Sequence, residues 1–173
     1  MKHVRRKQNA DFIGIQTMSK LKYYDSLVVF QEIPDEITLA INITNCPHRC
    51  EGCHSPYLRE DIGEELTREK LRLLVDANPH ITCICFMGGD AQHEEIRELC
   101  LQSAAIFPSL KLGFYSGNEN LNPRSVDVLD YYKVGPYIEA RGPLNSPSTN
   151  QSLFENRGGL LFDITYKFWK EVK

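Results

Sequence analysis

The chain has 173 residues, room for one domain with a substantial core but short of the roughly 250 residues of a closed eight-unit β/α barrel. Apolar residues make up 42% and charged residues 25%, which excludes a disordered chain, and no apolar run approaches the length of a membrane span. With 20 Lys and Arg against 23 Asp and Glu, the net charge of −3 is too weak a field for nucleic acid as the main partner. The opening MKHVRRKQNADF is basic with no apolar stretch behind it, so a cytoplasmic location is expected. Residues 1–20 show no convincing period and read as a mobile arm ahead of a single domain over residues 21–173.

Leu27 to Phe30 and Ile37 to Ile43 are short, β-branched apolar runs that predict two strands with a turn at Pro34-Asp35. A polar loop with three cysteines leaves the second strand. LTREKLRLLVDANP then predicts a helix with Thr67 as N-cap, a Leu66–Leu71 staple, and Leu71, Leu74 and Val75 on the buried face. Ile81 to Met87 is a near-continuous apolar run, the pattern of a strand buried on both faces, and Gly88-Gly89-Asp90 follows it. A helix is expected from about Gln92 to Phe107, a strand from Lys111 to Tyr115 ending in Ser116-Gly117, and a short helix after Asn122-Pro123. Tyr132 to Ile138 supplies an irregular strand, RGPLNSPSTNQS a loop, and LLFDITYKF a final strand. Alternation of strand and helix predicts an α/β fold with a mostly parallel sheet and right-handed crossovers.

The six cysteines fall into two groups. Cys83, Cys85 and Cys100 lie on apolar faces and read as small buried hydrophobes. Cys46, Cys50 and Cys53 sit in NCPHRCEGCHSP, a polar loop with little for a structural cysteine to pack against. Structural zinc usually takes two separated ligand pairs, and no second pair is present, although His48 or His54 could complete four ligands locally. The CxxxCxxC spacing fits a loop wrapped around a [4Fe-4S] cubane held on three irons, with the fourth open to a ligand. Glycine at a strand end lets a ligand approach backbone, and the cysteine loop, Gly88-Gly89-Asp90 and Ser116-Gly117 all fall where α/β proteins bind ligands. Asp90 has two uses there, accepting from an ammonium group or anchoring the loop.

CxxxCxxC after an early strand with GGD after a later one resembles the radical S-adenosylmethionine superfamily. More narrowly, CEGCHSP, FMGGD, YSG and KVGPYIEARGPLNSPSTNQSLF resemble the activating proteins of anaerobic ribonucleoside-triphosphate reductases, over about Tyr23 to Phe154. His54-Ser55 departs from the aromatic-Asn pair common there. The resemblance implies a truncated, open β/α barrel in which Cys46, Cys50 and Cys53 hold a [4Fe-4S] cluster. Gly88, Gly89 and Asp90 would border the methionyl amino group of S-adenosyl-L-methionine, with Ser116 and Gly117 near its carboxylate or ribose, so that a side chain at Gly89 would intrude on the ligand. It further implies reductive cleavage to a 5′-deoxyadenosyl radical, and with it a glycyl radical installed on an anaerobic ribonucleotide reductase, with flavodoxin or ferredoxin as electron donor. Asn150 and Gln151 in the late loop would help dock the partner's glycine loop. The alternatives are activation of a formate-lyase-type glycyl-radical enzyme, radical modification of a small molecule, and, from another class, a zinc-stabilised binding module.

Overall fold

The structure, a computed structural model, describes residues 21–122 and 127–169. The arm expected over 1–20 and most of the short helix expected after Asn122 lie outside the described residues. Eight strands form one sheet: β1 (Lys22–Val29), β2 (Thr38–Ile43), β3 (Glu64–Glu65), β4 (Cys83–Met87), β5 (Lys111–Tyr115), β6 (Tyr131–Val134), β7 (Ser152–Arg157) and β8 (Leu160–Asp163). Their order is β3-β1-β2-β4-β5-β6-β7-β8, and β3 and β8 end the sheet without pairing, so it is open.

The sheet is not mostly parallel, contrary to expectation. β2, β4, β5 and β6 pair in parallel at its centre, while β3–β1, β1–β2, β6–β7 and β7–β8 are antiparallel. Connection length explains the difference. Parallel neighbours need a crossover of a dozen or more residues, and α1 (Arg68–Asp76) and α2 (His93–Ile106) lie in two such crossovers. At the flanks the chain turns straight back. The β7–β8 link is Gly158-Gly159, with φ of 63° and 89°, a two-residue hairpin turn that only such φ values close.

Local signals set α1. Thr67 accepts from the Lys70 amide at 3.1 Å, and Asn78 donates to the Leu74 carbonyl at 2.8 Å to close α1. The alternation of each central strand then separates two cores. Leu39, Ile41, Ile43, Ile84, Phe86, Leu112 and Phe114 pack with Leu71, Val75, Ile96 and Cys100 on the helix side. On the opposite side Cys83, Cys85, Tyr131 and Leu153 meet Ile33, from the β1–β2 loop, and Ile164, from beyond β8. The expectation that Cys83, Cys85 and Cys100 are buried hydrophobes is met, since all three are free and fully buried. Among the described residues, no helix is long and apolar enough to cross a membrane.

Candidate functional site

Because β2, β4 and β5 run in parallel, the loops leaving them emerge along one rim: the cysteine loop, Gly88–Asp90 and Ser116–Asn118. Asp90 ties the three together. One carboxylate oxygen meets His48 Nε2 at 2.8 Å and accepts from the Gly117 amide at 2.7 Å. The other accepts from Ser116 Oγ at 2.6 Å and Asn118 Nδ2 at 3.1 Å. Four donors fill the acceptor sites of a carboxylate, and the side chain is 3% exposed. Of the two uses open to Asp90, the contacts are those of an anchor. His48 lies between Cys46 and Cys50, so this anchor reaches the cysteine loop itself. The His48 ring also explains Gly117, where a Cβ would stand 2.4 Å from its Cδ2.

The loop is shaped on its other side by the segment that follows it. Asn45 (φ 60°) turns the chain out of β2, the Cys46 amide donates to Leu58 O at 2.9 Å, and Arg59 Nη2 donates to Cys50 O at 2.7 Å. Arg59 Nε, buried beside this bond, has no hydrogen-bond partner among the described residues. Cys46, Cys50 and Cys53 are free and half-buried. Burial pushes the Cys46 thiol up, and Asp90, Cys50 and Cys53 push it further by their charge, against a weak bond to His48 O. Three thiols close enough to repel as anions fit a group that carries positive iron to each of them. Among the described residues no three ligating side chains gather around a point that one ion could occupy. A cubane asks for a different arrangement, with its thiolates on separate irons.

Gly88 and Gly89 do different jobs. Both have left-handed φ, 95° and 107°. A Cβ on Gly88 would make ordinary contact, 3.4 Å from Ile43 O, whereas one on Gly89 would press to 2.7 Å from Ile96 Cγ1. The Gly89 hydrogen therefore faces helix α2 and not ligand space, and a larger residue there disturbs the core first. Gly88 is the position whose substitution reports on the rim.

Beside the rim lies a cavity of about 1020 Å³, reached by Cys53 and by Met87 and Tyr115, the residues just before Gly88–Asp90 and Ser116–Asn118. Cys53, His54 and Ser55 line its upper edge, and Pro143, Pro147 and Trp169 part of its outer wall. Its floor is one rung of the sheet, in which Met87 pairs with Tyr115 and Tyr115 with Lys133. The next rung down holds Cys85, Gly113 and Tyr131, where the missing side chain of Gly113 makes room for Ile33.

The sequence reading did not single out Lys133, Glu32 or Tyr115. Lys133 is 7% exposed, and its ammonium donates to Gly135 O at 2.6 Å and Ser116 O at 3.3 Å. Burial pulls its pKa from the ordinary 10.5 down to about 8, against the opposing charges of Asp90, Cys50, Glu32 and Cys46. Burial likewise pushes Glu32 up, while a Tyr115 hydrogen bond and the Lys133 charge pull it down. Since the folded pKa of Lys133 is depressed, the unfolded chain binds the extra proton between about pH 8 and 10.5, and the penalty is fully present below pH 8. Lys133→Met should therefore stabilise cluster-free protein at pH 7 by up to about 3 kcal/mol, less what the two carbonyls lose. Melting curves from pH 7 to 11 check this, and the gain should vanish at the alkaline end. A variant less stable at every pH would show the charge to be structural.

Asn150 and Gln151 turn inward instead of towards a partner. Asn150 Nδ2 donates to Pro136 O at 2.8 Å and Gln151 Nε2 to Gly135 O at 3.2 Å, so these amides close the β6–β7 connection. Tyr131 and Tyr132 pack on opposite faces of β6, and Tyr137 lines the cavity 5.3 Å from His54.

A family model described as a 4Fe-4S single cluster domain matches residues 37–152, from the start of β2 through the cysteine loop to the start of β7. No curated protein and no solved structure matches the chain.

Proposed function

From the premise that the chain belongs to the 4Fe-4S single cluster domain family, we propose that it is a radical S-adenosylmethionine oxidoreductase that activates a glycyl-radical enzyme, an anaerobic ribonucleoside-triphosphate reductase. The observation that carries this reading is the convergence of the cysteine loop, Gly88–Asp90 and Ser116–Asn118 on one carboxylate, at the rim of a cavity that Cys53 lines. A purely structural cluster would need neither the cavity nor the loops of two further strands tied to its own.

Cys46, Cys50 and Cys53 would hold the cluster, and when bound it supplies the electron that splits S-adenosylmethionine into methionine and a 5′-deoxyadenosyl radical able to take hydrogen from a glycine α-carbon. The chain's own residues do the rest. Gly88 and Gly89 would present backbone to the methionyl end, with Ser116 and Gly117 beside it. Asp90 holds these loops in register with the cysteines. Met87 and Tyr115 line the cavity and would help shield a reactive intermediate from water. The volume of about 1020 Å³ exceeds the need of one nucleoside and leaves space for an incoming polypeptide loop. Flavodoxin or ferredoxin would be the electron source.

The test is anaerobic. Reduced, cluster-loaded protein should convert S-adenosylmethionine to methionine and 5′-deoxyadenosine. With an anaerobic ribonucleotide reductase added, electron paramagnetic resonance should show a glycyl-radical doublet. Absence of cleavage would overturn the reading. Cleavage with a doublet only on a formate-lyase-type enzyme would reassign the partner.

A further inference from the structure

The cysteine loop is backed by a cation that the rest of the fold leaves without an anion. Arg59 ends the short helical turn Pro56–Arg59, in which the Leu58 carbonyl accepts from the Cys46 amide at 2.9 Å. Arg59 Nη2 donates to Cys50 O at 2.7 Å, so the guanidinium is fastened to one of the loop cysteines itself. Its Nε is buried and meets no acceptor among the described residues, and no carboxylate among them pairs with it.

A staple on Cys50 O does not call for this side chain. A neutral amide also reaches a carbonyl, without burying an unmet N–H or bringing a permanent charge under the loop. What the guanidinium fits is the form of the loop in which thiolates and the sulfides of a cluster replace three neutral thiols. Other charges surround the loop and act differently. Arg49, Glu51 and Glu139 are exposed, the last against Gly52, and solvent screens them. Asp90 and Lys133 act on the cysteines from the strand ends with opposite signs. Arg59 adds its charge from the segment that follows the loop.

Resting on the assignment of a four-iron cluster to Cys46, Cys50 and Cys53, and not on the identity of cofactor or partner, we propose that Arg59 is a positioning residue that sets the reduction potential of that cluster. The bond to the carbonyl fixes Cys50. The charge and the unmet Nε–H favour the reduced state, which differs from the oxidised one by an electron taken from a low-potential donor, with no proton.

Redox titration of the full, iron-loaded chain tests this, with dithionite as reductant and the reduced cluster followed anaerobically by electron paramagnetic resonance. Arg59→Gln should keep the iron content of the wild type. At a fixed potential its ratio of reduced to oxidised cluster should nevertheless fall about tenfold, a midpoint about 59 mV more negative. Arg59→Lys keeps the charge and loses Nε–H, and its ratio should fall about threefold. Arg49→Gln removes an exposed cation from the same loop and should lower the ratio by less than about twofold. An unchanged ratio in iron-loaded Arg59→Gln, or an equal fall in Arg49→Gln, overturns this role. If Arg59→Gln does not retain iron, Arg59→Lys decides: the threefold fall supports the role and an unchanged ratio overturns it. Wild-type protein that takes up no iron overturns the cluster reading and the role together.

Discussion

Replacing Cys46, Cys50 or Cys53 with alanine should drop the iron of anaerobically reconstituted protein from about four per chain to near zero, while Cys83→Ala, Cys85→Ala and Cys100→Ala keep it. The contrast follows from burial and charge. Cys83 and Cys85 sit on the sheet face opposite the helices, packed with Tyr131 and Leu153. Burial pushes the Cys85 thiol well above its ordinary range and Cys100 up to about 12, which disfavours the thiolate that iron needs. Cys46, Cys50 and Cys53 are half-exposed on one loop. Iron analysis and the visible absorption of the cluster report the outcome. Alkylation of folded, cluster-free protein gives an independent count, since only the loop thiols should react. Iron retained in any loop variant, or lost in Cys83→Ala or Cys85→Ala with the fold intact, would refute the ligand assignment.

Asp90→Ala should be the most damaging change at any residue that binds no iron. It strands four donors, from His48, Ser116, Gly117 and Asn118, in a place where the carboxylate is 3% exposed. Each buried donor left unmet costs about 1–3 kcal/mol, although relaxation and water will satisfy some, so a net loss of about 4 kcal/mol is expected. For a chain of this size that lowers the melting temperature by roughly 10 °C. The loss should be accompanied by slow or incomplete cluster loading, because His48 ceases to hold the cysteine loop against Ser116–Asn118. His48→Ala tests the coupling: its effect on loading should largely vanish in an Asp90→Ala background. Additive effects of the two substitutions would show that Asp90 stabilises the strand ends without acting on the loop.

How far the fold was legible varied with the range of the interaction. The Thr67 cap, the Leu71 and Val75 face and the buried Cys83–Met87 strand are written within a few residues of chain and appeared as expected. β7 shows the limit. β8 formed within LLFDITYKF as expected, but the residues between the RGPLNSPSTNQS loop and that strand had been given no strand, although Gly158-Gly159 between apolar runs was an available hairpin signal. β3 is two residues long and carries no pattern of its own; the neighbouring β1 backbone makes it a strand.

Sequence alone determined the chemistry of the loop and its place in the chain. The spacing of Cys46, Cys50 and Cys53 and the glycines after β4 are properties of short segments, and short segments keep them in any fold. Tertiary structure decided three things that spacing cannot carry. It set the antiparallel flanks, because pairing direction depends on whether the chain crosses over or turns back. It made Asp90 a tie between three loops, because those loops meet only when β2, β4 and β5 lie side by side. It also buried Lys133, since a lysine on a strand is exposed or hidden according to what covers that face. Here the Glu32 loop and the segment after β8 cover it, and both come from distant parts of the chain.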